Sequence, residues 1–132
     1  MRKIVRGLII FFLLTGAISL VVILLIRVTP LPPEEEMHYA RETLSEAGRD
    51  KADTYSKKLY TEAKAAYDSA LANWRRENKR FIYFRNYEKV EKYAILSSQK
   101  ANQATSSSQT NSNTLRVKLK DKIDSLHDLL IQ

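Results

Sequence analysis

KKLYTEAKAAYDSALANWRRENKRFIYFRNYEKVEKYAILSSQKANQA, Lys57 to Ala104, is the stretch whose spacing decides the fold. Leu59, Ala63, Ala66, Ala70 and Trp74 recur at steps of three and four residues, which is the period of one helix face. The pattern stops at Asn78 to Phe84 (NKRFIYF). It resumes through Tyr87, Val90, Ala94, Ser97, Ala101 and Ala104, again at threes and fours. Two striped helices joined by a short turn pack antiparallel, as an αα-hairpin whose second helix starts near Arg85. Alanine at most seam positions means that whatever packs there comes close. The rest of the chain carries few breakers. Its three glycines are Gly7, Gly16 and Gly48, and its three prolines are Pro30, Pro32 and Pro33. The expectation is an all-α protein.

Upstream, Ala52 and Tyr55 extend the first stripe, and Met37, Ala40, Leu44 and Ala47 form another at 3-4-3. Pro33 followed by Glu34, Glu35 and Glu36 suits a helix start, because proline fits the first turn and carboxylates complement the positive end of the helix dipole. Gly48 separates the two stripes, and a continuous helix and a break there both remain open. The choice has a geometric consequence. A continuous helix from Glu34 to Asn78 is about 67 Å long at about 1.5 Å per residue, which holds the hairpin tip far from the helix start. A chain that folds back at Gly48 returns the tip to it.

Before the connector VTPLPP (28–33) lies GLIIFFLLTGAISLVVILLI, Gly7 to Ile26, with no charge and no proline. About 20 such residues cross the hydrocarbon core of a bilayer as a helix. Arg2, Lys3 and Arg6 precede the run, and Glu34 to Glu36 are the first charges after Arg27. That bias predicts a cytoplasmic basic tail (1–6), a signal anchor (7–27) and an extracytoplasmic remainder. The run exceeds the apolar core of a cleaved signal peptide, and its clearest small-x-small site, Ala17-Ile18-Ser19, is buried within it, so the anchor is expected to stay. Thr15 and Ser19, with Gly16 and Ala17 beside them, form a small-residue face on which two such helices can approach.

Downstream, Thr105 to Thr114 (TSSSQTNSNT) is polar and low in complexity, and reads as a linker in preference to a solvated helix. Leu115, Leu119, Ile123, Leu126 and Leu130, widened by Val117, Leu129 and Ile131, then predict an amphipathic helix over 115–132, a candidate assembly surface. Asn113 or Thr114 can cap its start. The expected units are therefore the tail, the anchor, the connector, a hairpin domain over 34–104, the linker and the last helix.

Little in the sequence supports catalysis. Cysteine is absent, which removes disulfides and thiol chemistry. A small extracytoplasmic domain without disulfides fits a bacterial envelope. His38 and His127 stand far apart with no third ligand at metal-binding spacing. Glu34 to Glu36 are explained by a helix start, and Asp50 and Asp53 lack the calcium-loop pattern. Phosphate loops, dinucleotide fingerprints and nucleophile elbows do not occur, so no cofactor, no metal and no enzyme activity are expected. The net charge of +7 includes four cations flanking the anchor, leaving +3 from Glu34 onward, so nucleic acid is not the expected partner.

One segment carries interaction chemistry. Between Trp74 and Tyr93 lie seven basic residues and three acidic ones, interleaved with Phe81, Tyr83, Phe84 and Tyr87. Arginines among aromatics bind anionic polymers, lipid headgroups or proteins. The contact candidates are Trp74, Arg75, Arg76, Arg80, Phe81, Phe84 and Arg85. The bland alternative is that the aromatics fill the end of a helix pair whose alanine seam supplies little volume, while the cations are merely solvated.

Lys57 to Ala104 also resembles an uncharacterised family of bacterial envelope helical-hairpin domains, similar in look to tetratricopeptide hairpins. The matching positions are Leu59, Ala63, Ala66, Ala70, Tyr87, Ala94, Ala101 and Ala104. The resemblance implies a structural or scaffolding role outside the cytoplasm and transfers no catalytic residue. There is one hairpin and no second copy, so a repeat-built peptide groove is not implied. The expected function is a single-pass, membrane-anchored, non-enzymatic envelope scaffold that binds a protein partner, itself, or an anionic polymer or headgroup. The alternative is a coiled-coil assembly factor of a divisome-like or lysis-type complex, acting through its last helix.

Overall fold

The computed structural model describes residues 2–131, all of whose regular structure is helical. Helix α1 (Arg2–Val28) contains an apolar span, Ile4–Val28, long enough to cross a membrane, and none of it is covered by the rest of the chain. After the connector come α2 (Glu34–Arg49), a single turn α3 (Ala52–Tyr55), α4 (Lys57–Asn78), a 3-10 turn (Ile82–Phe84) and α5 (Glu88–Ile131).

The chain folds back after α2. Asp50 N–H closes the helix onto the Glu46 carbonyl, and Lys51 adopts φ 55° and ψ 36°, the left-handed region that ends helices. A second break follows at Ser56 (φ −141°), and α4 then runs antiparallel to α2. Gly48, where the sequence leaves a continuous helix and a break both open, is itself helical. It serves instead as a close approach: a Cβ there would lie 3.3 Å from the Tyr60 hydroxyl.

Three helices form the bundle, α2 and α5 parallel and α4 antiparallel to both. The order of the core residues fixes these directions. One cluster joins Met37 and Ala40 of α2 to Ala70 of α4 and to Val90 and Ala94 of α5, with Trp74 and Tyr67 packed on it. The other joins Leu44 and Ala47 to Ala63, Ala101 and Ala104, with Leu59 and Tyr60 on it. Ala40, Ala47, Ala63, Ala70, Ala94, Ala101 and Ala104 are all fully buried. Methyl groups at these positions let the helices approach closely, so the core is thin and gains stability from close packing. Ser97 donates to the Ala63 carbonyl at 2.8 Å, satisfying the hydroxyl buried between α4 and α5.

The polar segment Thr105 to Thr114 is not a linker but the middle of α5, which runs unbroken for 44 residues. Its polar side chains have specific partners. Ser108 donates to the Asp50 carbonyl, Gln109 to the Asp50 carboxylate at 3.0 Å, and Asn111 to the Tyr55 carbonyl at 2.8 Å. The carbonyls left open where α2 ends and α3 turns are thus satisfied by the residues that look like low complexity. Accordingly, the amphipathic helix predicted over 115–132 is no separate element; its described part is the end of α5.

Candidate functional site

Met37, in the first turns of α2, packs beside Tyr87 and Val90 at the start of α5, and the end of α4 lies alongside. The hairpin tip and the start of α2 therefore occupy the same end of the bundle. The connector ends there too, with Pro33 buried on the bundle and Leu31 86% exposed.

The tip is held by a polar latch. Glu77, only 5% exposed, accepts from the Asn86 backbone N–H at 3.0 Å and from Arg80 Nη1 at 3.1 Å. The Asn86 hydrogen bond first, and the Arg80 guanidinium second, hold its carboxyl below the usual carboxylate range. Arg85 donates from Nε to the Arg80 carbonyl and from Nη2 to the Asn78 carbonyl, each at 3.1 Å, capping the end of α4. Tyr87 Oη donates to Asn78 Oδ1 at 2.7 Å, and Asn86 Oδ1 accepts the Glu88 N–H at 2.9 Å, capping α5.

The sequence candidates divide under this geometry. Trp74 is half-buried against the Met37 cluster, so its ring is part of the core. Arg85 clamps the turn and Arg80 pairs with Glu77. Arg75 and Arg76 are exposed, Arg76 donating to Asn73 Oδ1 at 2.6 Å. Phe81 and Phe84 are 66% and 73% exposed, with ring centroids 6.2 Å apart, and Ile82 and Tyr83 are exposed beside them. The four make an exposed apolar knob on one turn, and none of them belongs to either core cluster. Ile82 and Tyr83, which are not among the sequence candidates, belong to the same exposed turn; their lack of a place in either stripe is the signal that marks them.

Beside the knob, a cleft of about 560 Å³ between α4 and α5 is lined by Arg76, Arg80, Lys89 and Lys92 with Glu77, Asn86 and Glu88. Glu77 is already engaged, so the cleft carries net positive charge.

A second surface lies at the far end. From Asn113 to Ile131 every residue of α5 is exposed, about 28 Å of helix beyond the bundle at about 1.5 Å per residue. Leu115, Leu119, Ile123, Leu126 and Leu130 are between 47% and 85% exposed. Val90, Ser108 and Leu126 are each 18 residues apart, about five whole turns. The bare leucine stripe is therefore the same helix face that packs the bundle, continued past the point where α2 and α4 stop.

No group of side chains suited to hold a metal occurs among the described residues. His38 lies 3.7 Å from Glu42 on the surface, and His127 is exposed. Comparison of the chain with protein-family models, curated proteins and solved structures finds no match.

Proposed function

We propose that this chain is a single-pass, non-enzymatic scaffold of a bacterial cell envelope. In this reading α1 anchors it with the N-terminus in the cytoplasm, and the helical bundle stands outside as a short post that presents the free end of α5 to a second helix. One observation carries the reading: the chain reverses between Asp50 and Ser56, so anchor exit and bare leucine face fall at opposite ends of the bundle. An uncovered apolar stripe at steps of three and four residues is an interface waiting for a helix. Copies anchored in one membrane present α5 in the same direction, so a parallel pair with a second copy fits. This favours the assembly role of Leu115, Leu119, Ile123, Leu126 and Leu130.

The test uses the full chain in membranes. After an alkaline wash it should remain in the membrane fraction. With Leu126→Cys, mild oxidation should give a disulfide-linked dimer, and adding Leu119→Asp should abolish it while circular dichroism stays helical. A chain that washes off refutes the anchor. A monomer by light scattering that never crosslinks refutes pairing through this face.

A further inference from the structure

Beyond the anchor and the α5 interface, we infer that the hairpin tip is a second membrane contact: the Phe81–Phe84 knob lies in the bilayer interface, and the cleft of Arg76, Lys89 and Lys92 beside it takes lipid phosphate. The inference rests on the anchor reading of α1, and three independent observations support it.

The first is covalent reach. Only residues 29–33 separate α1 from α2, and five residues span at most about 18 Å. Pro33 is buried on the bundle, so the start of α2 cannot drift from the membrane surface. Because α2 and α5 run parallel, the tip shares that position. The second is the knob itself. Phe81 packs against Tyr83 and Phe84, with ring centroids 5.6 and 6.2 Å apart, Ile82 is exposed on the same turn, and none of the four belongs to either core cluster. Glu77 and Arg85 hold the loop in place, so its exposure is built in and is not the fraying of a loose turn. Aromatic rings favour the headgroup level of a bilayer, where their apolar bodies leave water. Leu31, exposed at the same end, adds to the apolar rim.

The third is charge. Arg76, Lys89 and Lys92 have no carboxylate partner within 4 Å except for Arg76, which reaches Glu77 at 3.8 Å. Glu34, Glu35 and Glu36 stand at the same end, on the first turn of α2, so attraction to anionic lipid is confined to the α4–α5 side. That asymmetry gives the bundle a preferred face toward the lipid. Cations close to an anionic surface add to apolar insertion, within the short reach that salt permits.

The chain contains no cysteine, so single substitutions accept a fluorophore cleanly. Full-length protein would be reconstituted in nanodiscs and labelled with NBD at Phe84→Cys, at Asp53→Cys on the opposite end, or at Gly16→Cys in α1. Nitroxide-labelled lipid should quench the label at 84 severalfold more than that at 53, and aqueous iodide should do the reverse. The contrast should be greater in discs containing phosphatidylglycerol than in phosphatidylcholine alone, and Arg76→Glu with Lys89→Glu and Lys92→Glu should remove that difference. A label at 84 that behaves like the one at 53, while the label at 16 is quenched by lipid, overturns the tip contact and leaves the anchor standing. A label at 16 open to iodide overturns the anchor itself. Equal quenching at 84 in both lipids overturns the phosphate cleft and leaves the apolar knob.

Discussion

Ala94→Leu should unfold the bundle more readily than any exposed change of the same kind, because Ala94 is fully buried where three helices meet. Met37 and Ala40 come from α2, Ala70 from α4 and Val90 from α5, and all four lie in its cluster. Leucine adds three carbons at a junction whose spacing is set by methyl groups. Overpacking of this sort costs about 1–3 kcal/mol, and about 2 is a fair central value because three helices meet here. For a domain of about 100 residues, about 2 kcal/mol corresponds to a fall of about 8–16 °C in Tm. Ala72→Leu is the control: Ala72 is exposed on α4, where the change stays within about 0.5 kcal/mol. The assay is urea unfolding of the full chain followed by the fluorescence of Trp74, the single tryptophan, whose ring packs on this cluster. Helix α1 carries no tryptophan, so the signal reports the bundle. An Ala94→Leu midpoint equal to that of Ala72→Leu would refute the packing of α2 on α4 and α5.

Three further outcomes follow from the same contacts. Glu77 has a depressed carboxyl pKa in the folded state, so its contribution is complete above the ordinary carboxylate range and is lost as pH falls through the depressed value. Urea midpoints measured down to acid pH should therefore fall more steeply in the wild type than in Glu77→Gln. Lys51→Gly should stabilise by up to about 1 kcal/mol, since a side chain in the left-handed region costs about 1–2 and the added freedom of glycine offsets part of it; a lower urea midpoint would contradict this. Ser108→Ala removes the bond to the Asp50 carbonyl, an expected loss of about 1 kcal/mol by the same unfolding assay, whereas Ser106→Ala on the exposed side should be near neutral.

The helical stripes were legible because period is a local property. Met37, Ala40, Leu44 and Ala47, and then Ala63, Ala66 and Ala70, face the core as their spacing requires. The reversal between α2 and α4 was not legible at its true site. Gly48 is the residue whose type permits a break, yet the turn is made by Lys51, a residue with no intrinsic claim to the left-handed region. Tertiary packing of alanine seams supplies what the backbone there costs. Thr105 to Thr114 misled for a related reason. Serine, threonine and asparagine disfavour helix interiors when nothing meets their side chains, but Ser108, Gln109 and Asn111 find open carbonyl or carboxylate groups across the bundle. At the tip, composition marks a region without sorting its residues. Basic and aromatic residues were equally visible, and only the fold separates Trp74 and Arg85, which hold the bundle together, from Phe81 and Phe84, which face outward.

The claim on which the rest depends is that the tip returns to the anchor end. Pulsed electron paramagnetic resonance between spin labels at Glu35→Cys and Lys79→Cys measures it directly in the full chain. With α2 and α4 packed antiparallel at about 8–10 Å between axes, the label separation should be about 20 Å once the label tethers are included. A single distribution near 66 Å, the length of about 44 residues of unbroken helix, would contradict the fold-back, and with it the proposed membrane contact of the tip.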